Sequence, residues 1–330
     1  MNEIWRSVFM YYLGIDVGGT NLVAGIVDEK NNILAKFKAK TKVPCAPEEF
    51  ADDLAKTVYG VLEEAKLTLA DVPWVGLGCP GTVNRATGII EFANNLYFKN
   101  LELRKLMKER LDGKTVILEN DANAAAYGEY MAGALKGADN AIAITLGTGL
   151  GGGIIIDHKI YSGSNYAGAE IGHTVIVADG KSCTCGRNGC WESYASATGL
   201  ILITKEHMVN ASKDSVIWQL VDGDIEKVSG RTAFDAMRKG DEIGKAAVDE
   251  YIKYLSVGIV NMINIFQPDI LCVGGGICNE GETLLAPVRE FVGKEQYAMN
   301  STKKTVICRA ELGNDAGVIG AAMLGKQDDM

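Results

Sequence analysis

LGIDVGGTNLVAGIVD, residues 13–28, is answered by IAITLGTGLGGGIIID at residues 142–157. Each stretch is a short apolar run, a turn of Gly and Thr, and a second apolar run closing on Asp. That is the pattern of a β-hairpin whose tight turn needs glycine. Similar hairpins opening the two halves of one chain imply two related α/β domains facing each other. They divide at about Lys136, into 1–135 and 136–330, with Lys136–Asn140 as a polar hinge and a last helix (315–325) packing back on the first domain.

Outward from the hairpins, helices and strands alternate. Phe50, Leu54, Val61, Leu62 and Ala65 share one helical face, with Pro47 near the start. Trp74–Gly78 reads as a buried strand ending in the turn Cys79-Pro80-Gly81-Thr82. Val116–Leu118 is a strand, and Asp121 opens an alanine-rich helix through about Ala134. In the second half a helix from about Asp241 stops before Pro268. Strand Asp269–Val273, a helix near Glu282–Val292 and strand Thr305–Cys308 follow, and Asn314-Asp315 is placed to cap the last helix. Strands alternating with helices make the class α/β.

A chain of 330 residues with 47% hydrophobic and 23% charged residues has the balance of an ordinary globule. Its net charge of −9, with no basic cluster, speaks against a nucleic-acid surface. No apolar stretch approaches the roughly 18 residues needed to span a bilayer, and Met1–Met10 has no signal-peptide character. The expectation is a cytoplasmic protein without membrane contact, the residues ahead of Met10 being an extension or an upstream start. Glycine is the anomaly: 39 residues, where about 7% of the chain would give roughly 23. With only 6 prolines, that excess points to tight turns of the kind that approach phosphates. Cys45, Cys79, Cys272, Cys278 and Cys308 lie singly and read as buried thiols.

Three glycine turns each follow an apolar strand: Asp16–Thr20, Leu146–Gly153 and Val273–Gly276. Successive glycine N–H groups can converge on phosphate oxygens, and Thr adds a hydroxyl donor. No P-loop lysine and no G-x-G-x-x-G after the first strand are present, so the site is neither Walker nor Rossmann. Asp16 would stand near a phosphate-bound Mg²⁺; its alternative is a hydrogen-bonded turn residue. His173 with Cys183, Cys185 and Cys190 makes a complete tetrahedral set for structural Zn²⁺, with no position left for water. The metal would shape the loop 173–192. In Glu119-Asn-Asp-Ala-Asn123, Asp121 is either a helix cap or a base for a substrate hydroxyl. Glu170 and Glu192 flank the cysteine loop and are candidates for hydrogen bonding to a polyol.

These motifs together resemble the sugar kinases of the ROK family (repressor, open reading frame, kinase), most closely its bacterial-type glucokinase branch. The resemblance rests on Asp16-x-Gly-Gly-Thr20, Glu119-Asn-Asp-Ala-Asn123, Leu146-Gly-Thr-Gly149, Glu170-x-Gly-His173 and Cys183-x-Cys-Gly-x-x-Gly-Cys190-x-Glu192, and covers residues 11–325. It implies an actin-like fold of two ribonuclease-H-like domains around a deep cleft that takes ATP and sugar. By the same resemblance Asp121 is the catalytic base, and Gly81, Asn95, Asn120, Asp121, Glu170, His173 and Glu192 meet the sugar. ATP with Mg²⁺ would fall to Asp16, Gly18, Gly19, Thr20, Asn21, Gly147, Thr148, Gly149, Gly275 and Gly276. The implied reaction is transfer of a phosphoryl group from ATP to the 6-hydroxyl of glucose. The alternatives are another hexose (N-acetylmannosamine, N-acetylglucosamine or fructose) and a sugar-responsive transcriptional repressor. For the latter, about a dozen residues ahead of the first strand leave no room for a helix-turn-helix domain. Self-association as a dimer or tetramer is the family expectation.

Overall fold

The computed structural model describes residues 10–209 and 211–328; the expected extension ahead of Met10 lies outside the described residues. The chain runs through β1 (Tyr12–Val17), β2 (Asn21–Val27), β3 (Ile33–Lys40), α1 (Pro47–Ala65), β4 (Val75–Cys79), β5 (Thr82–Asn84), β6 (Ile89–Ala93), β7 (Phe98–Leu101), α2 (Leu103–Arg110), β8 (Val116–Asn120) and α3 (Asp121–Ala132). β9 (Ala141–Leu146), β10 (Leu150–Ile156), β11 (Lys159–Ile160), α4 (Glu192–Ala195), α5 (Ala197–Val209), α6 (Val216–Gln219), α7 (Thr232–Arg238), α8 (Glu242–Phe266), β12 (Ile270–Gly275), α9 (Glu282–Glu295), β13 (Val306–Arg309) and α10 (Ala316–Met323) complete it.

The first sheet has the order β3-β2-β1-β4-β8. The hairpin β1–β2 is antiparallel, while β4 and β8 add in parallel to β1. The central strands are buried and almost wholly apolar, whereas β3, at the edge, alternates half-buried and exposed residues as a one-sided strand must. On one face, α1 buries Phe50, Leu54, Val58, Val61 and Leu62, one side of a 3.6-residue period. The opposite face takes α10, at unusually close range. A Cβ on Gly76 would lie 1.8 Å from Ala321 O, and one on Gly320 would lie 1.7 Å from Ala124 O in α3. Part of the glycine excess therefore serves backbone-to-backbone packing rather than phosphate turns. A three-stranded sheet, β5-β6-β7, accompanies this layer.

The second sheet has the order β11-β10-β9-β12-β13, with β9, β12 and β13 parallel. Asp241 caps the long helix α8 by accepting from Ile243 and Gly244 N–H, and Gln267, in the left-handed region, ends it before Pro268. Helices α5–α7 bury a separate cluster around Met208, Ile217, Trp218 and Ala236, in a stretch for which the hydrophobic pattern gave no expectation. Among the described residues no helix is long and apolar enough to cross a membrane.

Backbone proximity divides the chain into one unit of 1–139, 153–169 and 311–330, and another of 140–152 and 170–310. This differs from a single division at Lys136, because residues 153–169 belong with the first unit. There Gly153 lies against Ala126, the Tyr130 hydroxyl bonds His158 Nδ1 at 2.8 Å, and Ile160 N–H donates to Gln327. The expected cap of the last helix also differs. Asp315 precedes α10 in a helical conformation and caps nothing with its side chain, which pairs with Lys36 instead. Cys79, Cys272 and Cys278 are buried thiols as expected, but Cys45 and Cys308 are only half-buried.

Candidate functional site

In the first unit the chemistry-bearing residues gather at the carboxyl ends of the parallel strands β1, β4 and β8, where open α/β sheets present ligands. The register places Asp16 beside Gly78 and Gly78 beside Glu119, with Cys79 beside Asn120. Asp16 lies against the first turn of α10, where a Cβ on Gly317 would stand 2.8 Å from its carboxyl carbon. Burial, and then the charge of Asp121, raise the Asp16 pKa from 3.8 to about 6. Burial also raises Asp121, against the lowering effect of the Ala122 N–H that its carboxylate accepts at 2.9 Å. Beneath both, the buried Cys79 is held as a thiol by burial and by the two carboxylates.

Asp121 is not the cap of α3. That role falls to Asn120, whose Oδ1 accepts from Ala122 N–H (2.9 Å) and Asn123 N–H (3.1 Å) while its Nδ2 donates to Gly81 O (3.1 Å). The helix begins at Asp121, whose Oδ1 shares the Ala122 N–H with Asn120. Below it Glu119, 1% exposed, accepts from Asn120 N–H and Asn123 Nδ2, both at 3.0 Å. Burial raises its pKa as well. Glu119 and Asn123 stood in the quoted motif but were not singled out, because no local pattern marks an acid as buried.

The turn after β1 closes with Gly18 N–H donating to Asn21 O at 2.9 Å. Thr41, which sequence reasoning missed, ties it to the end of β3: its hydroxyl donates to Gly18 O and its N–H to Thr20 O. A Cβ on Gly19 would meet Asn95 at ordinary contact distance, and Gly81, at φ +94°, sits where a Cβ would strike Phe92 O. Asp16, Gly18–Asn21, Gly81, Asn95, Asn120 and Asp121 thus share the first unit.

The second unit gathers the remaining candidates. The turn after β9 is closed by Gly147 N–H to Gly149 O at 3.0 Å, leaving Gly147 and Thr148 exposed. The end of β12 adjoins it: its last residue, Gly275, at φ +98°, lies where a Cβ would be 2.1 Å from Leu146 O, and Gly276, in the turn that follows, faces open space. Glu170 is exposed and opens the short helical turn Ile171–His173.

His173, Cys183, Cys185 and Cys190 bring their ligand atoms within 4.8 Å of one another. Cys185 Sγ stands 3.7 Å from Cys190 Sγ, and His173 Nδ1 stands 3.6 Å from Cys183 Sγ. Zinc–sulfur bonds of about 2.3 Å and zinc–nitrogen bonds of about 2.0 Å at tetrahedral angles require edges of about 3.5–3.8 Å. These two edges match, and the donor set is that of a structural zinc site. Burial and the adjoining thiols push Cys190 up to about 12, while the Arg187 N–H bond holds the exposed Cys185 below its ordinary value. Glu192, two residues on, turns its Oε2 to the Leu150 N–H at 2.9 Å.

Two hairpin-led sheets with glycine turns at the ends of their strands, the first also carrying buried carboxylates, give the actin-like, ribonuclease-H-like fold. The chain belongs to the ROK family, whose model matches residues 12–328. It is similar to a glucokinase of Streptomyces coelicolor, 38% identical over 96% of this chain and 98% of the other. A Thermotoga maritima glucokinase is 37% identical over 96% and 97%. Among solved structures, a ROK family glucokinase from Streptomyces griseus in complex with glucose and AMPPNP matches with a TM-score of 0.78. It is 37% identical, with 95% of this chain and 98% of that chain covered.

Proposed function

We propose that this protein is an ATP-dependent hexokinase that phosphorylates the 6-hydroxyl of glucose, a glucokinase. The observation that carries the reading is the placement of Asp121: at the start of a helix whose cap is Asn120, beside Asp16, with its pKa raised by burial. Similarity to glucokinases over nearly the whole chain supports the substrate. Asp121 accepts the proton of the attacking hydroxyl, and its raised pKa makes it a better acceptor than a solvated carboxylate. Gly18–Asn21, Gly147–Gly149, Gly275 and Gly276 offer backbone N–H groups and hydroxyls to the phosphates of ATP.

Gly81, Asn95, Asn120, Glu170, His173 and Glu192 orient the sugar. Asn120 has one Nδ2 hydrogen left after bonding Gly81, so it donates once. His173 turns Nδ1 to the cysteines, leaving Nε2 for a hydroxyl. Asp16 would hold Mg²⁺, whose charge offsets that of the phosphates. His173, Cys183, Cys185 and Cys190 would hold Zn²⁺, four protein ligands that shape the loop and leave no place for a reactive water. The net charge of −9 suits no nucleic-acid partner, and we assign the protein to the cytoplasm as a dimer or tetramer.

The test is release of ADP, coupled to a spectroscopic readout, over glucose, mannose, fructose, N-acetylglucosamine and N-acetylmannosamine. Glucose should give the highest kcat/KM. An amino sugar ahead of glucose would reassign the substrate, and no ADP release with any sugar would overturn the kinase.

A further inference from the structure

The turn Gly147–Leu150 is held from behind by a segment that no motif predicted. Ala197 N–H donates to Gly147 O at 2.9 Å, and the Thr198 hydroxyl donates to Thr148 O at 2.7 Å. The Glu192 carboxylate takes the Leu150 N–H at 2.9 Å, an approach open only because residue 149 is glycine: a Cβ there would be 2.3 Å from Glu192 Oε2. Three successive peptide groups of the turn are thereby fixed by residues 192–198. The consequence is geometric. In a trans peptide the C=O and the following N–H point in opposite directions, and the one cis peptide bond among the described residues is Val43–Pro44. With the carbonyls of Gly147 and Thr148 drawn towards the start of α5, the N–H groups of Thr148 and Gly149 must point away from it. Both project from the exposed side of the turn as adjacent donors, the form of an anion-binding nest. The Leu150 N–H is excluded from that pair because Glu192 occupies it.

We infer that Thr198 is a positioning residue for the phosphoryl donor: its hydroxyl, with the Ala197 N–H and the Glu192 carboxylate, sets the two outward N–H groups of the turn against a nucleotide phosphate. The inference rests on the kinase reading and goes beyond it. Thr198 lies outside every motif of that reading, and Glu192 acquires a task besides any contact with sugar. Because Glu192 follows Cys190 by two residues, order in the cysteine loop also passes into the turn.

Thr198→Val removes the donor and keeps the shape, and Thr198→Ser restores the donor. Calorimetric titration of each variant and of the parent with Mg²⁺–AMPPNP, and separately with glucose, reads the effect. Valine should weaken nucleotide affinity about five- to tenfold, the scale of one lost hydrogen bond, with glucose affinity unchanged. Serine should recover it. Equal losses for glucose and nucleotide, failure of serine to rescue, or unchanged nucleotide affinity in the valine variant would each overturn the inference. A parent protein that binds no nucleotide at all would break the kinase reading itself, which the same titration reveals first.

Discussion

The acid cluster at the ends of β1, β4 and β8 and the cysteine loop 173–192 bear comparable chemistry but are held by opposite means. Asp16 and Asn120 stand in parallel ladders, and Asp121 directly follows one, all in place before any ligand arrives. The cysteine loop has no ladder: it is held by the isolated bridges Val175 with Cys190 and Ser182 with Asn188 and by single turn bonds such as Cys183 N–H to Arg187 O, and Cys183, Cys185 and the residue between them are half-buried or exposed. A ladder places a carboxylate by burying its strand. A loop this polar has little apolar surface to repay its ordering entropy, and the zinc of the proposed function would supply the difference.

The widest separation between the two regions should come from Asp121→Asn. Loss of the proton acceptor should cut kcat by roughly 10²–10⁴-fold, while glucose affinity and folding persist because Asn120 remains the cap. Near-normal turnover would remove Asp121 as the base and leave Asp16 as the next candidate.

Cys185→Ala should act on the loop alone. Elemental analysis should fall from about one zinc per chain to nearly none. Hydrogen exchange should lose protection across 174–191 while β1, β4 and β8 keep theirs. A metal-free protein with an equally protected loop would erase the contrast.

Asp16→Asn is the finest test. The folded protein binds the Asp16 proton more tightly than the unfolded chain does, so ionising it costs stability. The cost is absent below about pH 4, grows as pH rises towards about 6, and is complete above that. The Asn variant should therefore match the parent in thermal midpoint at pH 4 and exceed it by a few degrees at pH 8, with an altered Mg²⁺ dependence of turnover. A variant less stable than the parent at pH 8 would show that the ladder region holds Asp16 by attraction, not against burial.

Much of this was legible in the chain. The two hairpins follow from apolar runs broken by Gly and Thr, and the metal set from one His and three Cys in a short span. Other features were not. Glu119-Asn120-Asp121 offers two side chains able to cap α3, and local pattern cannot say which residue ends the strand; the pairing of Cys79 with Asn120 does. Thr41 and Thr198 carry no signature, since each acts on a partner supplied by the fold.

The glycines divide the two kinds of knowledge most clearly. Sequence alone determined that Gly18 and Gly147 stand in turns after strands, because a turn is a local event of a few residues. Only the tertiary structure decided that Gly14, Gly76, Gly128 and Gly320 are glycines for a different reason: α10 returns from the far end of the chain and touches β1, β4 and α3 backbone to backbone. A missing side chain is the same letter in either setting. Whether it frees a dihedral angle or admits a neighbouring helix depends on contacts between residues hundreds of positions apart.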